Sequence, residues 1–162
     1  MIFARKNLAL LSILALAAQL SLAPALADDG DSQSAPPASA EAAGEWRTNF
    51  SESLDQAEKE NKLVLADFYT SWCGWCKRLD QTTFADSEFK QYLNEHFIPV
   101  KLNAEDHAEG QRTAEKNDVS AYPTGLVFAP NGKVLGRIFG YFDAEQYKAK
   151  LVKIAKKAPK HH

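Results

Sequence analysis

The feature that most constrains the fold of this chain is an apolar run followed closely by its only two cysteines. The run, LVLADFY at residues 63–69, has the length and composition of a buried strand. Cys73 and Cys76 follow it in the stretch TSWCGWCK. A helix beginning at the first cysteine places the second one turn later on the same face, within reach of a disulfide. The pattern therefore predicts a buried strand, a short loop and a helix that carries a cysteine pair.

A cysteine at the start of a helix is chemically activated. The free N–H groups and the helix dipole stabilise an anion there, which lowers the pKa of the thiol and raises its thiolate fraction. Cys73 is then the sulfur that attacks a partner's disulfide, and Cys76 resolves the mixed disulfide. Trp72 and Trp75 are interpreted either as a flat apolar surround for the sulfur or as ordinary packing.

Two other uses of such a pair are a structural disulfide and a metal site. A structural disulfide between positions three apart closes a very short loop and removes little entropy from the unfolded chain. Zinc needs four ligands, whereas His96 and His107 lie far from the cysteines in sequence without ligand spacing. We therefore predict no metal and no cofactor, with copper(I), which tolerates two thiolates, as the alternative.

The first residues have the features of a secretory signal peptide. Arg5 and Lys6 precede an apolar stretch over residues 8–22, and Ala25-Leu26-Ala27 forms a cleavage site of small residues. An uncleaved membrane anchor is the alternative, although the stretch is short for a span of roughly 20 residues. The sequence predicts cleavage after residue 27 and export to the periplasm.

The rest of the chain is predicted to form one domain with flexible flanks. Residues 28–45 are rich in Ala, Ser, Pro, Asp and Gly, which indicates a disordered linker. The domain is predicted over residues 46–157, and residues 158–162 are predicted to be a flexible tail. The net charge of −2 gives no indication of nucleic-acid binding.

Within the domain, hydrophobic periodicity predicts the order β-α-β-α-β-β-α preceded by a helix, with two helical stretches between the first and second strands. The first strands are expected to pair in parallel through helical crossovers, and Asn131-Gly132 predicts a hairpin between the last two. Helices are predicted at 51–61, 73–80, 86–97, 109–117 and after Asp143, and strands at 63–69, 98–103, 124–129 and 134–139.

Four segments, in this order, resemble the thioredoxin superfamily. They are LVLADFYTSWCGWCK, VKLNAED, VSAYPTGLVF and PNGKVLGRIFGYFDAEQYKAKL, and together with their connections they cover nearly all of the predicted domain. The segment TTFADSEFKQYLNEHFIPVKLNAED is similar to exported members, such as the reductase domain of the bacterial thiol:disulfide interchange protein. The resemblance implies an α/β thioredoxin fold with a central mixed sheet of four to five strands flanked by helices.

The resemblance also implies roles for two charged residues. Asp67, six residues before Cys73, matches a buried carboxyl that takes the proton from Cys76. If this carboxyl is buried and poorly paired, its pKa is raised, as a proton acceptor requires. Lys101 matches a lysine that pairs with the carboxyl, and a plain surface lysine is the alternative.

The segment YPT is implied to shape the substrate groove. Pro123 matches the family's cis-proline, which exposes the backbone of Tyr122 to a bound peptide strand, and Thr124 follows it as in the family. Trp72, Gly74 and Trp75 are the other predicted substrate contacts. Gly74-Trp75 replaces the Gly-Pro of common thioredoxins, so the family's reducing character does not carry over directly.

The resulting expectation is an exported thiol–disulfide oxidoreductase that acts as a monomer on disulfides or thiols of exported proteins. Reduction is the expected direction, with electrons from a separate membrane protein. A disulfide oxidase or isomerase is the first alternative, and a copper-binding assembly factor is the second. After cleavage, no stable insertion into the membrane is expected.

Overall fold

A computed structural model of the chain describes residues 46–158. The predicted signal peptide, the predicted linker and residues 159–162 of the predicted tail lie outside the described residues. Within the described part, no helix combines the length and the apolar character needed to cross a membrane.

The described residues form five helices and four strands, in the order of the predicted ranges, with two helices between the first and second strands. The helices are α1 (Phe50–Glu60), α2 (Gly74–Gln81), α3 (Ser87–His96), α4 (Glu109–Lys116) and α5 (Ala144–Ala155). The strands are β1 (Leu63–Tyr69), β2 (Phe97–Asn103), β3 (Thr124–Phe128) and β4 (Val134–Phe139).

The strands form one mixed sheet in the order β2-β1-β3-β4. The parallel pairing of β1 with β2 and the antiparallel β3–β4 hairpin are both as predicted. β3 also runs antiparallel to β1, so the central strand has a parallel neighbour on one side and an antiparallel one on the other. An isolated parallel bridge between Arg47 and Val100 extends the pairing beyond β2. The predicted α/β class with a mixed sheet is confirmed.

Both faces of the sheet are covered, which explains why β1 is apolar along nearly its whole length. Alternate residues of β1 point to opposite faces. On one face, Val64, Ala66 and Phe68 pack in a core that includes Ala57 of α1 and Ala114 of α4. On the other face, Leu65 packs in a core supplied by α2, α3 and α5, whose members include Leu79, Phe89, Leu93, Tyr147 and Leu151.

The functional segments meet at one edge of the sheet because of the strand directions. β1 and β2 are parallel, so both end at this edge. β3 is antiparallel to β1 and therefore begins there, and β4 ends there. The loop carrying the cysteines, the segment after β2, the turn before β3 and the turn after β4 thus lie side by side.

Most predicted boundaries lie within one residue of the observed ones, and three of the differences have a clear physical reason. α1 is capped by Asn49, whose side chain accepts from the Glu52 amide, and not by Ser51. Cys73 is the N-cap of α2 and not its first residue. Phe97 starts β2 and does not end α3, because the chain passes from helix to strand with no intervening turn.

Candidate active site

The two cysteines form a disulfide across the first turn of α2. Their Cα atoms are 5.3 Å apart. Cys73 caps the helix, and its sulfur accepts from the backbone N–H of Cys76 at 3.1 Å. Cys73 is 5% exposed and Cys76 is 1% exposed. Both residues are therefore buried, and the one at the helix start is slightly more exposed.

This position favours a thiolate on Cys73 once the disulfide is reduced. The N-cap sulfur faces the unpaired N–H groups of the first helical turn, and the Cys76 amide already points at it. A negative charge on that sulfur is stabilised by the same donors that cap the helix. The predicted activation of Cys73 thus has a geometric basis.

Trp72 lies on one side of the disulfide and is held by an acidic residue. It is 70% exposed, yet its indole N–H donates to Glu105 Oε1 at 2.8 Å. The other oxygen of Glu105 accepts from the backbone N–H and the hydroxyl of Ser71, at 2.7 and 3.0 Å. The Trp72 ring meets the Tyr122 ring edge to face, with centroids 6.2 Å apart. The exposed indole is therefore oriented and not free.

Trp75 lies between the cysteines and is held by a cation. Its side chain is 58% exposed, and its ring centroid is 5.7 Å from that of Tyr141, which follows β4. The Arg78 guanidinium lies 5.7 Å from the Trp75 ring and 5.4 Å from the Tyr141 ring. Tyr141 also contacts the Thr82 hydroxyl at 3.1 Å. We call Trp75, Arg78 and Tyr141 the cation–aromatic cluster.

Asp67 lies beneath the active-site helix in the middle of β1 and is fully buried. Lys101, its cross-strand partner on β2, donates to Asp67 Oδ2 at 2.7 Å. The same ammonium also contacts Asp80, which is partly exposed on α2. Burial raises the pKa of Asp67 to about 6, while the charge and hydrogen bond of Lys101 act in the opposite direction.

This geometry pairs Asp67 with Lys101, as the resemblance implies, and supplies a link to the cysteines. Lys101 is therefore not a plain surface lysine, since its ammonium bonds to one oxygen of Asp67. The pKa of Asp67 is nevertheless raised, because the loss of solvation outweighs the pairing. Asp80 is four residues after Cys76, hence on the same helical face, so Lys101 connects the buried carboxylate to the face that carries the resolving cysteine.

The turn before β3 contains the cis peptide bond between Tyr122 and Pro123. The Pro123 carbonyl accepts from the amide of Gly140, which joins this turn to the end of β4. Thr124 is buried, and its hydroxyl donates to the Ala121 carbonyl at 2.7 Å. The Thr124 side chain therefore braces the turn, and the residue is 2% exposed and paired with both β1 and β4, so it supports the turn from within the sheet.

Gly74 has open space above it. A Cβ atom built there would meet nothing within 4 Å, and its φ angle is not in the left-handed region. The glycine is therefore not required by the packing of the domain.

No three His, Cys, Asp or Glu side chains among residues 46–158 come together in an arrangement that could hold a metal ion. His96 lies at the end of α3 and His107 lies in the segment between β2 and α4. The structure thus brings neither histidine into a ligand set with the cysteines.

Four residues that hold the site were not identified from the sequence. They are Glu105, Asp80, Arg78 and Tyr141. Helical spacing was a usable signal for Asp80, one turn beyond Cys76. Glu105 and Tyr141 reach the site from distant segments, so no local pattern marks them.

Comparisons with known proteins agree with this geometry. The model of a thioredoxin-like domain family matches residues 50–155. Thioredoxin-1 of Saccharomyces cerevisiae is 39% identical over 87 residues, which cover 54% of this chain and 77% of the yeast protein. The thiol:disulfide interchange protein DsbD of Campylobacter jejuni is 29% identical over 108 residues, covering 66% of this chain and 19% of that protein.

A solved structure shows the same similarity in three dimensions. A candidate disulphide-isomerase from Bacteroides thetaiotaomicron superposes with a TM-score of 0.63 at 38% identity, covering 74% of this chain and 100% of that one. The family match, the fold and the cysteine pair all indicate the same family. The chain belongs to the family of thioredoxin-like domains, and its Cys73–Cys76 pair makes it a thiol–disulfide oxidoreductase of that family.

Proposed function

We propose that this oxidoreductase is exported to the periplasm and reduces disulfides of other exported proteins. The observation that carries the proposal is the placement of Cys73 as the N-cap of α2, with the Cys76 amide aimed at its sulfur. The reducing direction is supported by Asp67, which is buried and linked through Lys101 to the active-site helix.

The proposed reaction has two steps. The Cys73 thiolate attacks one sulfur of a substrate disulfide, forms a mixed disulfide and releases the other substrate sulfur as a thiolate. Cys76 then gives its proton to Asp67, and its sulfur attacks the sulfur of Cys73, which breaks the mixed disulfide and frees the second substrate sulfur as a thiolate. The substrate gains two electrons and the pair is left as a disulfide. A dithiol on a separate membrane protein is proposed to reduce the pair again.

The proposed substrate is an extended peptide that lies across the exposed aromatic surface. Trp72 and Trp75 flank the disulfide, and the space over Gly74 is open. Tyr122 would supply the backbone groups that a peptide strand can pair with, Pro123 would hold them in place through its cis bond, and Thr124 would brace the turn. Lys101 would keep Asp67 in place and would not touch the substrate.

Separate cysteine variants test the two steps. Cys73→Ser is expected to abolish reduction of insulin disulfides, because no sulfur remains to attack. Cys76→Ser is expected to accumulate mixed disulfides with its substrates, which mass spectrometry of a cell extract identifies. Ser87→Ala, at the first residue of α3, serves as the control and should behave as the unaltered protein. Undiminished activity in Cys73→Ser would contradict the proposal.

A disulfide isomerase or oxidase is the second candidate. It is favoured by the 38% identity to the Bacteroides candidate disulphide-isomerase and by Trp75 in place of the proline of common thioredoxins. The reduction potential of the pair decides between them. A value near roughly −270 mV fits a reductant, and one near roughly −120 mV fits an oxidase.

Export and oligomeric state are separate parts of the proposal. Residues 1–27 are proposed to be a cleaved signal peptide, residues 28–45 a linker and the mature protein a monomer. Amino-terminal sequencing of the periplasmic fraction should begin at Asp28, and light scattering should give the mass of one chain. Recovery of an uncleaved chain in the membrane fraction would instead support the anchor.

A further inference from the structure

Two buried polar atoms on the core face beneath the cysteine pair have no hydrogen-bond partner among residues 46–158. One is Oδ1 of Asp67, and the other is the hydroxyl of Tyr147 on α5. A buried polar group without a partner is rare and costly in folded proteins, because it has lost its bonds to water. Both atoms therefore need an explanation.

The strand register shows that the two groups are close together. Asp67 on β1 is paired with Gly125 on β3. The Tyr147 hydroxyl lies 2.2 Å from the point that a Cβ atom on Gly125 would occupy. Cβ positions of paired antiparallel residues are about 4.5–5.5 Å apart. The hydroxyl thus takes the place of a side chain on Gly125, directly beside Asp67.

Lys101 and Tyr147 approach Asp67 from opposite sides. Lys101 belongs to β2, on one side of β1, and bonds to Oδ2. The Tyr147 hydroxyl lies above β3, on the other side of β1. The carboxylate therefore lies between an ammonium group and a hydroxyl group, and only its bond to the ammonium is direct.

The tyrosine is held firmly in this position. Its ring packs edge to face against Phe84 and Phe89, with centroids 5.4 and 5.6 Å away, and the whole side chain is buried. A phenylalanine would fill the same apolar space without burying a hydroxyl. The hydroxyl is thus the only part of this side chain that the packing of the core does not require.

We propose that Tyr147 is a positioning residue for Asp67, and that one buried water molecule accepts from its hydroxyl and donates to Asp67 Oδ1. Such a water satisfies both orphaned atoms at once, as buried waters commonly do in polar sites. The inference rests on the proposed role of Asp67 as the proton acceptor. It adds a second support for the ionised carboxylate, opposite Lys101.

The effect on titration follows from the direction of the bonds. A water that donates to Oδ1 stabilises the charged carboxylate, so its loss makes ionisation harder. The other charged groups that act on Asp67 are Lys101 from β2 and Asp80 from α2, which shares the Lys101 ammonium. Lys101 favours the ionised form and Asp80 opposes it, and neither is altered by a change at Tyr147.

The test is Tyr147→Phe in the full chain with the cysteines reduced. The titration of Asp67 is followed by the NMR shift of its carboxyl carbon. We expect the midpoint to move up by roughly half to one pH unit, as the loss of one hydrogen bond implies. Tyr92→Phe, which removes a hydroxyl from α3, is the matched control and should leave the midpoint unchanged. An unchanged or lowered midpoint in Tyr147→Phe would overturn the inference.

Two further measurements distinguish a hydroxyl that is bonded to a buried water from one that has no partner. The Tm of Tyr147→Phe at pH 8 is expected to fall, whereas removal of an unpartnered hydroxyl would raise it and would contradict us. If the variant does not fold, water-to-protein NOEs in the unaltered chain decide whether a bound water lies beside Tyr147. Insulin reduction by the unaltered chain is assayed in parallel, because its absence would refute the proposed function while leaving the midpoint shift as evidence for the hydroxyl.

Discussion

The Asp67 side chain experiences two opposing influences, burial and a neighbouring ammonium group. Burial disfavours the ionised form and raises the pKa to about 6, while Lys101 lowers it. The Lys101 ammonium is shared with Asp80 and also lies 5.0–5.4 Å from the ring centres of Trp46, Tyr69 and Phe84. Burial and the negative charge of Asp80 together keep the carboxyl close to the range where it can exchange protons near neutral pH.

Asp67→Asn tests the cost of this arrangement. The pKa of Asp67 is about 6 in the folded protein and about 4 in the unfolded chain. Ionisation of this carboxyl therefore lowers the free energy of unfolding at pH values above about 4. The unaltered protein therefore loses stability as the pH rises from about 4 to about 6. We expect Asp67→Asn to be more stable above pH 6 by up to about 3 kcal/mol. Urea unfolding at pH 4 and pH 8 measures this.

The control for this prediction is Asp55→Asn, an exposed carboxyl on α1. Its free energy of unfolding relative to the unaltered protein should be the same at both pH values. A difference between Asp67→Asn and the unaltered protein that does not grow with pH would show that the carboxyl carries no buried charge.

Among the helices and strands, α2 is held in place by side chains from other segments of the chain. It spans only Gly74–Gln81, too short to be stable alone. The cation–aromatic cluster joins its first turns to the segment after β4. The Thr83 hydroxyl donates to the Phe142 carbonyl at 2.6 Å just beyond its end. The position of Trp75 beside the disulfide therefore depends on Arg78 and Tyr141.

Arg78→Ala is expected to free Trp75 without abolishing exchange. Loss of two cation–π contacts should lower the Tm by about 2–5 °C. The fluorescence anisotropy of Trp75, measured with Trp46 and Trp72 replaced by Phe, should fall. Arg112→Ala removes an equally exposed arginine from α4 and should change neither quantity. Equal effects of the two variants would mean that the cluster does not fix Trp75.

Hydrophobic periodicity predicted most helices and strands correctly. It gave a wrong boundary where a residue fits both a helical and a strand pattern. Phe97 fits both the helical spacing of Phe89 and Leu93 and the apolar start of β2. In the structure Phe97 belongs to the strand, because it joins the hydrogen-bonded sheet. Similarly, helical periodicity from Tyr147 to Leu151 and Ile154 indicates an apolar helix face, which is correct for the Tyr147 ring. Nothing in local sequence shows that its hydroxyl faces Gly125 and Asp67, since that proximity depends on strand register.

For the whole molecule, the two faces of the sheet have different tasks. The face covered by α2, α3 and α5 carries the cysteines, Asp67 and Lys101. The opposite face, covered by α1 and α4, supports the sheet from behind. Glu109 at the start of α4 holds this second layer together. It accepts from the Phe50 and Ser51 amides at 2.6 and 3.0 Å, and so caps α1 across 58 or more residues of chain.

Glu109→Ala should therefore lower the stability of the domain and leave the redox chemistry of the cysteine pair unchanged. Loss of the cap is expected to lower the free energy of unfolding by about 1–2 kcal/mol, because the first amides of α1 lose their acceptor. The reduction potential of the cysteine pair should stay the same. Glu58→Ala, on the exposed side of α1, should affect neither. A changed potential in Glu109→Ala would show that the two layers are coupled.

The empty volume over Gly74 has an evolutionary consequence. A Cβ atom introduced there would meet no atom of the domain within 4 Å, so a small side chain at this position would face the proposed peptide groove. Substitutions at this single position could thus exclude or admit substrates without lowering the stability of the domain. Among close relatives, divergence in client range is accordingly expected to concentrate at this residue.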